Sequence, residues 1–178
     1  AITWLEGMLV QYTEGLPGMV LDEAREKFHV DTEEQGPLGL EDFYTRVIAD
    51  DPEALAISND YFAGFAQLCN WLKEAPNQKA LKTQITGPVT QGLSTVDHNK
   101  RAIFYDPTFQ EVIRHNCSMK ARWMVRRLKE FHPTVICFLD EPGLSAFGSS
   151  VYVSVKREDV TTQLQEVGDA IRSEGGLC

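Results

Sequence analysis

The stretch 134–139, Thr-Val-Ile-Cys-Phe-Leu, constrains this chain more than any other: a nearly continuous apolar run that starts after Pro133 and stops at Asp140-Glu141-Pro142. It has the length of a strand and falls far short of the roughly 20 apolar residues a membrane helix needs. A run without polar alternation predicts a strand buried on both faces, as in a parallel sheet covered by helices. Residues 80–86 predict a second strand, stopped by Gly87-Pro88.

Helical periodicity fills the space around these strands. Leu40, Phe43, Tyr44, Val47 and Ile48 recur at helical spacing, and Asp51-Pro52-Glu53 supplies a cap, a first-turn proline and an early acid for a second helix reaching about residue 74. Phe62, Phe65, Ala66, Cys69 and Leu72 form its stripe. A third helix opens at Asp106-Pro107, carries Val112, Ile113, Cys117, Met124, Leu128 and Phe131, and ends before Pro133. The fourth spans 157–173, with Val160, Leu164, Val167 and Ile171 inward; Gly175-Gly176 caps it, and Leu177-Cys178 reads as the start of another strand. Residues 89–105 read as a long connection, and the stretch after Pro142 as irregular. Towards the N-terminus, residues 11–18 are turn-rich, and 19–22 with 27–31 predict a hairpin around 23–26.

Strand, long helix, strand, long helix and a strand barely begun predict an α/β domain with parallel strands. The expectation is one incomplete domain over 1–178: a loop and hairpin region at 1–39, then helices alternating with barrel strands at 40–178. Either a truncated, partial (βα)8 TIM barrel with an N-terminal β-hairpin or an open doubly wound sheet would fit this order. A full barrel needs about 250 residues, more than are present. The edges of a half barrel would be exposed and prone to self-association.

Charge narrows the partners. With 17 Lys and Arg against 26 Asp and Glu, the net charge of −9 argues against nucleic acid and anionic membranes. Cys69, Cys117, Cys137 and Cys178 are widely separated and form no C-x-x-C pair, which predicts reduced thiols in a cytoplasmic setting. The start, Ala1-Ile2-Thr3-Trp4, shows no basic region followed by an apolar stretch, and the missing initial Met suggests a processed or truncated chain. His29, His98, His115 and His132 share no zinc-site spacing, so no metal ligand is assigned within the chain. No G-x-S-x-G, P-loop or G-x-G-x-x-G occurs. Lys120, Arg122, Arg126, Arg127 and Lys129 read as a solvated helix face.

Function in parallel α/β folds collects where the strands end. Two places qualify: Thr86-Gly87-Pro88-Val89-Thr90 and Asp140-Glu141-Pro142. The first offers hydroxyls and a glycine that lets a ligand approach the backbone. In the second, adjacent carboxylates point to opposite faces, so at most one looks into the site and can hold an amine or act as a general acid or base; its neighbour braces the loop through backbone N–H groups. Both segments also read as plain strand terminators.

Gln11-Tyr12-Thr13-Glu14-Gly15-Leu16-Pro17-Gly18, then Thr86-Gly87-Pro88-Val89-Thr90, then Phe138-Leu139-Asp140-Glu141-Pro142 resemble, in this order, the catalytic barrel of cobalamin-independent methionine synthase. They are also similar to the related uroporphyrinogen decarboxylase superfamily, although the Arg-rich N-terminal loop of the decarboxylases is not visible. The resemblance implies a (βα)8 fold and methyl transfer to a thiol activated by zinc, with a small thiol substrate and a methyl donor as partners. It implies catalytic roles for Asp140 and Glu141, with Asp140 holding the substrate amino group, and a substrate wall made of Tyr12, Glu14, Thr86, Gly87, Thr90 and Asp140. The family's His-x-Cys zinc ligands would fall beyond Cys178, which makes this chain a fragment inert by itself. Alternatives are a non-catalytic binding or assembly module, or a decarboxylase-like enzyme.

Overall fold

The computed structural model describes residues 3–75, 77–149, 152 and 154–178. Ala1 and Ile2, part of the start inspected for a leader, lie outside them, as do Ser150, Val151 and Val153 of the irregular stretch after Pro142. The chain opens with single 3-10 turns at Trp4–Glu6 and Val10–Tyr12. The hairpin follows: β1 (Met19–Asp22) pairs antiparallel with β2 (Lys27–Val30), around a 3-10 turn at Glu23–Arg25. Gly18 sets the hairpin's entry, with φ +72 and a Cβ position only 2.7 Å from Gly36 Cα, so no side chain fits there.

Helix α1 (Gln35–Ile48) comes next, and then α2 (Asn59–Leu72). Asp51 does accept a hydrogen bond from Glu53 N, but it caps only a 3-10 turn, Pro52–Leu55, and not a helix running to residue 74. Ala56 is extended at ψ 153, which breaks the run, and α2 restarts after Ser58. Strand β3 (Leu81–Thr86) leads straight into α3 (Pro88–Ser94), a helix inside the expected connection. Residues 88–93 of α3 are all buried, so no amphipathic stripe announces it. Asp106 then accepts from Thr108 N and Phe109 N and starts α4 (Pro107–Lys129). Strand β4 (Val135–Asp140) and α5 (Arg157–Ser173) complete the order.

The sheets correct the fold expectation. Among the described residues there are five α-helices and two sheets of two strands each: the hairpin, and β3 parallel to β4 with Thr86 opposite Asp140. Leu177 adds one parallel bridge to Ile136. A partial (βα)8 barrel is therefore not what this chain forms. The alternation that suggested it occurs in any strand-helix-strand unit, and a barrel requires a ring of eight such strands; here residues 3–48 supply turns, an antiparallel hairpin and a helix.

Nor is β4 covered on both faces. Val135 and Cys137 face the core, whereas Phe138 is 49% exposed. β3 alternates likewise, with Leu81, Thr83 and Ile85 inward and Lys82 and Gln84 outward. The Lys82 ammonium stands 4.6 Å from the centroid of the Phe138 ring, a cation–π contact on this open face. The inward face packs on α4, whose Val112, Ile113, Met124, Val125 and Leu128 anchor the larger apolar cluster. A smaller one, Val89, Leu93, Phe104, Val155 and Val160, joins α3 to the start of α5.

Three of the basic residues of α4 depart from the expected solvated face, while Arg127, paired with Glu130, and Lys129 stay on it. Arg122 and Arg126 both grip Glu174 just past α5, at 2.9–3.1 Å, and reach Asp50 and Asp51. Trp123 Nε1 donates to Glu53 between them. Lys120 is completely buried. No helix of the described residues is long and apolar enough to cross a membrane.

Candidate functional site

The two strand ends lie side by side, because parallel register sets Thr86 against Asp140 and Gly87 N donates to the Asp140 carbonyl at 2.9 Å. The adjacent acids divide sharply. Glu141 is turned into the start of α3: Oε1 accepts from Val89 N at 3.0 Å, and Oε2 accepts from Thr90 N at 2.6 Å and Thr90 Oγ1 at 2.5 Å. Thr90 Oγ1 in turn accepts from Gly143 N at 3.0 Å, closing a latch between the loops after β3 and β4. Burial pushes the Glu141 carboxyl up, against the downward pull of these hydrogen bonds. Gly87 leaves room for that carboxylate, which lies where a Cβ at this position would be.

Asp140 shares a pleat face with Phe138, the open one, and is half-buried. Among the described residues its carboxylate has no hydrogen bond and no ion pair. The groups that feel its charge are the phenol of Tyr12 and the thiol of Cys137. Burial, then the Cys137 thiol and the Asp140 carboxylate, push that phenol's pKa well up, so Tyr12 stays neutral.

Tyr12 arrives on a strap, residues 8–16, laid across the end of β3. Side chains of the body hold three of its carbonyls: Thr86 Oγ1 donates to Met8 O at 2.8 Å, Gln91 Nε2 to Leu9 O at 3.2 Å, and Asn116 Nδ2 to Tyr12 O at 2.7 Å. Tyr12 OH donates back to Gln84 O at 2.9 Å. A Tyr12→Phe variant should therefore lose about 1 kcal/mol of stability, since the Gln84 carbonyl loses its side-chain donor; urea denaturation measures it.

Of the residues expected at a site, Thr86, Thr90 and Tyr12 are thus buried and engaged with the protein itself. Glu14, on the same strap, accepts from Ser58 N at 2.7 Å. Asp140 alone keeps its functional atoms free. Beside Tyr12 lies a cavity of about 250 Å³ lined by Gln11, Phe62, Phe65, Lys82 and Gln84 among others. Sequence reasoning passed over Lys82 and Gln84, although polar residues at 82, 84 and 86 opposite Leu81, Thr83 and Ile85 are the period-2 signal of a face turned away from the core.

Among the described residues no group of three or more His, Cys, Asp or Glu stands where it could hold a metal ion. Burial pushes the Cys117 thiol up and the Cys137 thiol up to about 12, so neither is a thiolate at neutral pH. Cys117 further donates to Thr86 O at 3.8 Å. These residues do not fit the zinc that the resemblance implies, and no chemical step of this chain is assigned to it. No family model, no curated protein and no solved structure matches the chain.

Proposed function

We propose that this chain holds the amine-bearing thiol substrate of a methionine synthase-like methyl transfer, with Asp140 taking the substrate's ammonium group. One observation carries the reading: of two neighbouring carboxylates at the end of β4, Glu141 is bound by three hydrogen bonds into α3, while half-buried Asp140 is left without a partner among the described residues. A polar group in partly desolvated surroundings is normally paired, and one that is not keeps its lone pairs for an incoming donor. Perturbed or unpaired carboxylates at strand ends are where ligand sites concentrate.

The resemblance in the strap, Thr-Gly-Pro-Val-Thr and Asp-Glu-Pro segments supports the choice of reaction. The part of that reaction supported by this chain's own residues is binding and orientation. Asp140 fixes the ammonium, neutral Tyr12 walls the carboxylate without competing for a cation, and the Glu141–Thr90 latch holds both loops still.

Calorimetric titration tests the proposal. L-homocysteine should bind, and 4-mercaptobutanoate, which lacks the amine, should bind at least about tenfold more weakly, the low end for a charge-assisted hydrogen bond. Equal affinity for the two compounds, or binding of neither, would refute it. A second reading, a small-molecule binding module without catalysis, uses the same Asp140. Its support is that Cys117 and Cys137, the thiols carried by α4 and β4, are buried and protonated, so neither serves as a nucleophile there; the exposed thiol is that of Cys178.

A further inference from the structure

Lys120 is a buried ionisable group that the strand-end site does not use. It lies on α4 with no exposed surface, and its Nζ donates to a single acceptor, Leu55 O, at 3.0 Å. An ammonium carries three donors, so two of its N–H bonds find no acceptor among the described residues. Among the described residues no carboxylate forms an ion pair with it. The groups that act on it electrostatically are Glu14, on the strap, and Cys117, less than one turn back on α4. The 3-10 turn above it, Pro52–Leu55, presents only the Leu55 carbonyl, because Glu53 is turned to the Trp123 indole.

The cover over Lys120 is made of two local segments. Glu14 Oε2 accepts from Ser58 N at 2.7 Å, Leu16 N donates to Thr13 O, and Ala54 N and Ala56 N donate within the turn. A Cβ on Gly15 would stand 3.3 Å from Leu55, so strap and turn touch directly above the lysine. Both segments are short, and Leu16, Leu55 and Ile57 pin them into the apolar core, so the cover opens by withdrawing those side chains while the strands beneath stay paired.

We propose that Lys120 makes the seating of this cover proton-linked: strap residues 13–16 and turn residues 52–58 lift more readily when the lysine is charged. A buried ammonium with one hydrogen bond and no ion pair is costly, and lifting the cover rehydrates it. The neutral amine needs no such rescue. The sign follows from linkage. With the cover closed, desolvation depresses the Lys120 pKa from 10.5 to about 8; with it open, the ordinary value returns. The closed form therefore binds fewer protons, and raising the pH favours closure between about pH 8 and 10.5. The full span corresponds to about 300-fold in the opening equilibrium, tenfold for each pH unit. Tyr12 rides on the same strap, so opening also changes the wall beside Asp140. The inference is independent of what Asp140 binds.

Native-state hydrogen exchange read by NMR, corrected for the intrinsic pH dependence of exchange, tests it without any ligand. Protection of the Leu16, Ala54, Ala56 and Ser58 amides should rise from pH 7.5 to 10.5, by up to about 300-fold, while amides in the middle of β3 stay level. Lys120→Met should abolish the rise. Level or falling protection in the wild-type protein, or the same rise in Lys120→Met, would overturn the proposal. A second measurement needs no variant: the Lys120 side-chain ¹³Cε shift should titrate near pH 8, and titration at the ordinary lysine value would equally overturn it.

Discussion

Gly87→Ala is expected to destabilise the protein by about 3 kcal/mol, and adding Glu141→Ala to it should make little further difference. The added methyl would occupy the place of the Glu141 carboxylate. The carboxylate ends a flexible side chain and can move, but moving leaves Val89 N, Thr90 N and Thr90 Oγ1 without their acceptor. Hydrogen bonds to a charged group are the stronger kind, and the stranded donors add a desolvation penalty. Glu141→Ala breaks the same three bonds, so its own loss should also be about 3 kcal/mol. Independent sites would sum to about 6 kcal/mol in the double variant; residues acting through one latch should remain close to the single-variant loss. Urea denaturation of the four proteins closes the cycle, and an additive result would mean that the two residues do not share this contact.

Asp140→Asn should behave in the opposite way. Stability should change by less than about 0.5 kcal/mol, because no hydrogen bond or ion pair among the described residues is lost. Affinity for an amine-bearing thiol should fall by about 10- to 100-fold, the range for a hydrogen bond between charged partners. Asparagine keeps the shape and one acceptor oxygen, so the difference isolates the charge. Calorimetry and urea denaturation on the same samples separate the two effects. A loss of folding comparable to that of Glu141→Ala would place Asp140 in the scaffold instead.

That adjacent acids should part company was legible at the end of β4, since successive side chains of a strand point to opposite faces. Which one faces a partner was not, because the answer depends on α3, whose only mark in the sequence is Pro88 at its first position, read instead as a strand stop. Pro88–Ser94 contains Gly92 and is buried on every side through residue 93, so it lacks a polar face to define a period. Helices with one wet face were readable: Asp106-Pro107 marks the start of α4, and the stripe from Val160 to Ile171 marks α5. Asp51-Pro52-Glu53 carries the same start signal, yet extended Ala56 ends the turn after four residues, and Ser58 begins again.

The larger misjudgement came from apolar content. Five consecutive apolar residues at 135–139 suggested cover on both sides, but Phe138 faces out beneath the Lys82 ammonium. A lysine stem and a turned-in strap can cover part of a sheet without a second layer of helices. Lys120 shows the converse. Its neighbours Arg122 and Arg126 do reach acids at the surface, but Lys120, three residues after Cys117 and four before Met124, falls on the buried stripe of α4, a spacing signal that its charge masked.

The account stands on a division of labour between two neighbouring carboxylates, and that can be watched directly. With ¹³C-labelled Asp and Glu, the side-chain carboxyl resonances of Asp140 and Glu141 are followed during titration with L-homocysteine at neutral pH. The Asp140 carboxyl should shift progressively to saturation while that of Glu141, held in its latch, stays in place. A shift at Glu141 with Asp140 unmoved, or no shift at either under saturating amine, would contradict it.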